Sequence, residues 1–186
     1  MKILKLRFQN INSLAGEHEI DFQDPVFTAN GLFAITGKTG AGKSSILDAI
    51  SLALYGKTPR VDISGSENAV LTKGERSCYA EIMFEVEGKK WTASWKQEKT
   101  KTGNLTPVKR YIANENDKII ADQVRTCDTE IVKIIGLSFA QFTKVILLAQ
   151  GSFAAFLKAN KNDKAELLEQ ITGTEIYARI SKMVFE

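Results

Sequence analysis

The chain has 186 residues, 44% of them apolar, with 25 basic and 22 acidic side chains for a net charge of +3. That suits one domain with its own core; no apolar run is long enough to span a bilayer, and a single histidine, His18, leaves no histidine-based catalytic or metal site. The N-terminal "MKILKLRFQN" is broken by Lys2, Lys5 and Arg7, so it lacks a signal-peptide core and points to the cytoplasm.

"KILKLRFQN" alternates, with Ile3, Lys5 and Arg7 on one side and Leu4, Leu6 and Phe8 on the other, the pattern of a half-buried strand. "EHEIDF" reads as its hairpin partner across a loop from Asn10 to Gly16. "LFAIT", Leu32 to Thr36, has no polar alternation and is expected to be a strand buried on both faces in a partly parallel sheet. From Lys43 to Tyr55 the apolar residues run around most of a helix, which predicts packing on more than one side. "CYAEIMFEVEG" puts Cys78, Ala80, Ile82, Phe84 and Val86 on one face, and "KWTASWK" does the same with Trp91, Ala93 and Trp95. With "VKRYIA" these make an antiparallel meander, and the Trp pair reads as core. Cys78 and Cys127 match no metal spacing and read as small buried hydrophobes in a reducing compartment. "ADQVRTCDTEIVKIIG" predicts an amphipathic helix stopped at Gly136, and the rest of the chain reads as helical.

"GKTGAGKS", Gly37 to Ser44, has the spacing G-x-x-x-x-G-K-[ST] between an expected strand and an expected helix. Backbone N–H groups can wrap a triphosphate only where no Cβ holds the backbone away, which accounts for Gly37, Gly40 and Gly42. Lys43 can reach the β- and γ-phosphates, Ser44 can offer a hydroxyl to Mg²⁺, and the helix start adds partial positive charge. The candidate ATP-binding set is Gly37, Lys38, Thr39, Gly40, Ala41, Gly42, Lys43, Ser44 and Ser45.

A second feature is charge. From Lys89 to Arg110 seven basic residues accompany only Glu98, a local excess larger than that of the whole chain. Lys90, Lys96, Lys99, Lys101, Lys109 and Arg110 are the candidate contacts to double-stranded DNA without sequence preference. The plainer reading is a lysine-protected sheet edge. Arg60 in "GKTPR" either lies near a phosphate or is a solvated turn residue.

"MKILKLRFQNINSLAGE", "NGLFAITGKTGAGKSSILDAISLALYGKTPR", "LLAQGSFAAFL" and "AELLEQITGTEIY" resemble the ATPase heads of the SMC-like DNA-repair family. The resemblance implies an α/β fold: the P-loop N-terminal lobe of an ABC-type ATPase head, with an antiparallel side sheet at about 77–113 and helices at about 161–186 leading to a coiled coil. It implies ATP hydrolysis with Mg²⁺ in DNA end processing, two heads closing on ATP, and a separate nuclease subunit as partner. It makes Gln150, in a Q-loop at about 148–151, a catalytic and Mg²⁺ ligand beside Lys43 and Ser44, and brings Asn12 and Ser13 near the nucleotide. No Walker B carboxylate run or signature motif occurs in the sequence. The resemblance assigns both to a C-terminal half and leaves this chain alone nearly inactive. A DNA tether with nucleotide as a conformational switch, or a transporter ATPase subunit, are the alternative functions. The N-terminal hairpin and basic sheet argue against the transporter.

Overall fold

The computed structural model describes residues 1–29, 33–61, 63 and 67–145. They fall into two units, Met1–Gly136 and Leu137–Glu186. The first is one antiparallel sheet carrying two longer helices. Its strands are β1 (Lys2–Ile11), β2 (Leu14–Asp21), β3 (Ser77–Val86), β4 (Lys89–Glu98), β5 (Lys109–Asn114) and β6 (Ile119–Ala121). They lie in the order β2-β1-β3-β4-β5-β6. The N-terminal hairpin and the meander are therefore one sheet, joined where β1 runs antiparallel to β3 from Lys2 opposite Glu85 to Gln9 opposite Tyr79.

The alternation read from the sequence sets which face is covered. Leu4, Leu6 and Phe8, Cys78, Ala80, Ile82 and Phe84, Ala93 and Trp95, and Ile112 are all buried on one side. Val86 and Trp91, at the strand ends, are only partly covered. Against this face lies α2 (Lys43–Tyr55), which buries Ala49, Ile50, Leu52, Ala53, Leu54 and Tyr55. Each large apolar side chain buried contributes about 1.5–3 kcal/mol. This packing, more than helix propensity, holds α2 in place. A short helix, α1 (Pro25–Thr28), follows β2, with Asp24 accepting a hydrogen bond from the Val26 amide as N-cap.

The helix α3 (Val124–Ile135) buries Cys127 and Ile131 and stops at Gly136 in the left-handed region (φ 76°), whose N–H reaches the Val132 carbonyl, as its sequence predicts. In the second unit, α4 (Phe139–Val145) starts after Ser138, whose hydroxyl and amide both donate to Gln141 Oε1. Gln150, the Q-loop and the expected coiled-coil root at 161–186 lie outside the described residues.

Three expectations change. The loop at Asn10–Gly16 is shorter than its composition suggests. β1 continues to Ile11 and β2 begins at Leu14, because Asn10 and Asn12 both take left-handed backbone (φ 53°). Asn10 is buried, and its side chain bonds the Ser77 carbonyl (2.9 Å) and the Gly16 amide (2.7 Å), absorbing a register shift in the ladder. The expected strand at Leu32–Thr36 is not formed over its described residues, Phe33–Thr36. A strand needs a ladder partner on at least one side, and these residues are not part of the six-stranded ladder. Phe33 and Ile35 are 45% and 44% exposed, although the Phe33 ring meets Phe22 and Phe27 at 5.8 and 5.0 Å.

Arg110 is a third correction. It shares the inner face of β5 with Ile112 and is buried. One Nη donates to the Leu54 carbonyl in the last turn of α2 (2.8 Å), and the other pairs with Asp128. Its guanidinium lies so close to Gly56 that a Cβ there would come within 3.1 Å of Nη1. Arg110 is a cap on the C-terminus of α2, where positive charge is favoured, and it offers nothing to DNA. Arg110→Ala is expected to lower stability by about 2 kcal/mol, the range for a hydrogen bond to a charged group. Urea unfolding of the wild type and the variant measures it.

Candidate functional site

The loop is exposed from Gly37 to Ala41 and leads through the buried Gly42 into α2. Gly42 is the N-cap, in left-handed backbone (φ 86°, ψ 7°), and Gly40 shares that φ. Gly42 has no side chain with which to cap the helix, so the first N–H groups of α2 remain for whatever the loop binds. Ala41 N–H turns back to the Lys38 carbonyl (3.1 Å). Lys43 Nζ donates to the Gly37 carbonyl (2.7 Å) and the Lys38 carbonyl (2.9 Å). The ammonium thus closes the loop into a ring at the positive end of a helix. Left-handed glycines, a helix N-terminus and a lysine at its centre form a concavity suited to an oxyanion.

Thr39, Gly40 and Ala41 are exposed along the loop, and Lys38 with them. Ser44 is half-buried, with its hydroxyl one position into the helix. Ser45 is buried at 4% exposure, so what it can offer a ligand of the loop is its backbone.

Asn12 and Ser13 form the turn between β1 and β2. Ser13 is exposed. Asn12 Nδ2 donates to Asp48 Oδ2 (2.8 Å), so its amide is engaged with α2. Asp48 is 1% exposed, and its other partner is Arg60, through Nη2 and through Nε at 3.4 Å. Arg60 is thus held on a carboxylate, and a freely solvated turn residue does not describe it. The next residue of the hairpin, Leu14, packs on the loop: a Cβ at Gly42 would fall 2.5 Å from Leu14 Cδ2. The hairpin turn, the glycine-rich loop and the segment after α2 meet here.

The lysines of the basic segment separate. Lys89 and Lys90 stand at the β3–β4 turn, while Lys99 and Lys101 stand at the other end of β4, a strand of ten residues and so roughly 30 Å away. Lys96 and Lys109 are cross-strand partners, and like charges placed opposite each other repel. Lys96 is offset by Glu98 (2.7 Å), whose carboxyl is held below its ordinary range by that lysine and by Lys109. Lys96, Lys99, Lys101 and Lys109 therefore form one basic end of the sheet, with Arg76 reaching the Thr100 carbonyl beside them (3.0 Å). Lys90 does not belong to it. Across the same outer face the charges cancel, since Lys5 and Arg7 pair with Glu19, and Arg7 also with Glu81.

Two features go unmarked by motif and composition. Asp48 is a lone carboxylate in the apolar run "ILDAISLAL", and a buried charge must be paired. Arg110 is in phase with Ile112 in a strand of period two. Both signals stand in the sequence.

A family model described as "AAA domain" matches residues 5–182. The SbcC subunit of the nuclease SbcCD from Pseudomonas aeruginosa is 40% identical over the whole of this chain, which covers 17% of that relative. A probable DNA double-strand break repair Rad50 ATPase from Aquifex aeolicus is 33% identical, again over the whole chain, with 18% of that relative covered. The chain thus spans about a sixth of the length of these curated relatives. Among solved structures, the SMC head domain from Thermotoga maritima superposes with a TM-score of 0.42 and 24% identity, over 70% of this chain and 42% of that one.

Gly42→Ala is expected to destabilise by about 1–3 kcal/mol, because it combines left-handed backbone with overpacking against Leu14. Leu14→Ala in the same chain should return the packing part and leave the backbone part. Unfolding midpoints of the two single variants and the double variant separate the terms.

Proposed function

We propose that this chain, which belongs to the AAA-domain family, is the nucleotide-binding N-terminal half of an ABC-type ATPase head acting in DNA double-strand-end processing. The observation that carries the reading is the ring made by Lys43 on the Gly37 and Lys38 carbonyls at the start of α2. The relatives' names, an SbcCD nuclease subunit and a Rad50 repair ATPase, support the biological setting.

ATP with Mg²⁺ supplies the phosphoanhydride whose hydrolysis drives the cycle. The loop's N–H groups and Lys43 bind its phosphates, and the Ser44 hydroxyl is the metal ligand on this side. Gln150 is the proposed residue that orients water. Phosphoryl transfer also needs stabilisation of spread charge, and the Walker B carboxylates and signature serine are proposed to come from the C-terminal half and from a second head. The exposed Phe33 and Ile35 ahead of the loop support a further layer of structure on that side. An SbcD-like nuclease subunit is the proposed partner that cuts, with head dimerisation as its control. Double-stranded DNA is proposed to lie on the basic end formed by Lys96, Lys99, Lys101 and Lys109. No helix among the described residues is long and apolar enough to cross a membrane.

Lys43→Ala in the full-length protein is expected to lower ATP turnover by about two orders of magnitude or more, as for loss of a key charge-stabilising interaction. The fold should survive, since Lys43 bonds only loop carbonyls and fills no core. Wild-type turnover in that variant would reject the site. Charge reversal at Lys99, Lys101 and Lys109 should weaken DNA binding and reduce the log–log salt slope by about 0.9 for each phosphate that is no longer neutralised, with ATP affinity unchanged. An unaltered slope would leave these lysines as a solvated edge.

A further inference from the structure

Asp48 joins three segments that are separate in sequence. It projects from the middle of α2, accepts from Asn12 in the β1–β2 turn at 2.8 Å, and pairs with Arg60 in the segment after the helix. Its side chain is 1% exposed, against 41% for Arg60. A buried carboxylate costs free energy that an apolar residue at this position of α2 would not. Packing alone therefore gives no reason for it.

The geometry around it supplies one. Asn12 is held in left-handed backbone (φ 53°) by two bonds, its N–H to the Val70 carbonyl at 2.7 Å and its amide to Asp48. Two residues on, Leu14 covers the bare Cα of Gly42, and Gly42 precedes Lys43. A continuous set of contacts thus runs from Asp48 through Asn12 and Leu14 to the end of the phosphate loop, where α2 begins. On the other side, the turn that carries Arg60 is fixed by Thr58, whose hydroxyl donates to the Val61 carbonyl (2.6 Å) and accepts from the Val61 amide (3.2 Å).

We propose that Asp48 is a positioning residue for nucleotide binding: it pins the β1–β2 turn against Gly42 and so sets the shape of the phosphate loop, with Arg60 as the countercharge that allows its carboxylate to be buried. This rests on the reading of Gly37–Ser44 as an ATP site. Asp48 touches no nucleotide in this scheme, and its contribution is to affinity and not to the chemical step.

The test uses the full-length protein with Mg·ATP, a fluorescent ATP analogue for affinity, and steady-state turnover. Asn12→Ala and Asp48→Ala are each expected to weaken nucleotide binding about tenfold, the equivalent of one hydrogen bond to a charged group. KM should rise in step, with kcat held within about twofold, since uniform binding is what is removed. Asp48→Asn keeps an acceptor for Asn12 and should recover most of the affinity. Asn12→Ala leaves the Asp48–Arg60 pair intact, so it remains informative if Asp48→Ala does not fold. Wild-type affinity in folded Asn12→Ala, or an Asp48→Asn variant as weak as Asp48→Ala, overturns the proposal. A wild-type protein that binds ATP no better than Lys43→Ala overturns the ATP reading itself, a different result from either.

Discussion

The close approach of Leu14 to Gly42 fixes how the rest of the lobe is arranged. It requires a residue without Cβ at the N-cap of α2, and that residue takes the left-handed backbone from which the helix can start. It also requires the β1–β2 turn to end at Leu14, so the two asparagines before it adopt left-handed backbone of their own. Because β1 is then paired with both β2 and β3, the position of the turn is transmitted into the whole sheet. A glycine-rich loop can hold its shape only if something outside the loop defines it, and here the β1–β2 hairpin packs on its last residue.

The helix that follows is held by charge at its middle and at its end. In its middle the carboxylate of Asp48 lies between Asn12 and Arg60, and at its end the guanidinium of Arg110 lies between the Leu54 carbonyl and Asp128. Between them the inward residues are apolar apart from the buried Ser51 and fill the space below β1, β3 and β4. A similar economy governs the outer face of the sheet. Glutamates cancel Lys5 and Arg7, and Tyr111 donates to Glu81 at 2.6 Å, while the end near the β4–β5 connection is left with unbalanced lysines. Unpaired charge gathered at one edge is what long-range attraction to a polyanion requires.

Much of this is legible in the sequence because the signals are local. Period-two alternation sets the buried faces of β1, β3 and β4, a glycine ends α3, and the spacing of Gly37, Gly42, Lys43 and Ser44 marks the loop. Other features are hidden because they depend on partners distant in the chain. The run from Phe33 to Thr36 reads as a doubly buried strand, yet no strand among the described residues lies beside it. Asn12 reads as a ligand-facing residue, yet its amide is taken by Asp48, 36 positions away. Arg110 reads as one more cation in a basic segment, and only its phase with Ile112 tells that it points inward. Lys90 falls with Lys99 by sequence distance, though an extended strand carries the two to opposite ends.

The bonds between Lys43 and its own loop have a further consequence. The ammonium gives two of its three N–H groups to carbonyls, so an anion that takes more than one of them must displace the loop's own acceptors. A singly charged ion such as chloride offers one weak acceptor and gains little by displacing either carbonyl. A chain of phosphates offers several charged oxygens at once, some to the ammonium and others to the backbone N–H groups. On the proposed reading of the loop as a phosphate site, its own carbonyls are the competitors that a multiply charged ligand displaces.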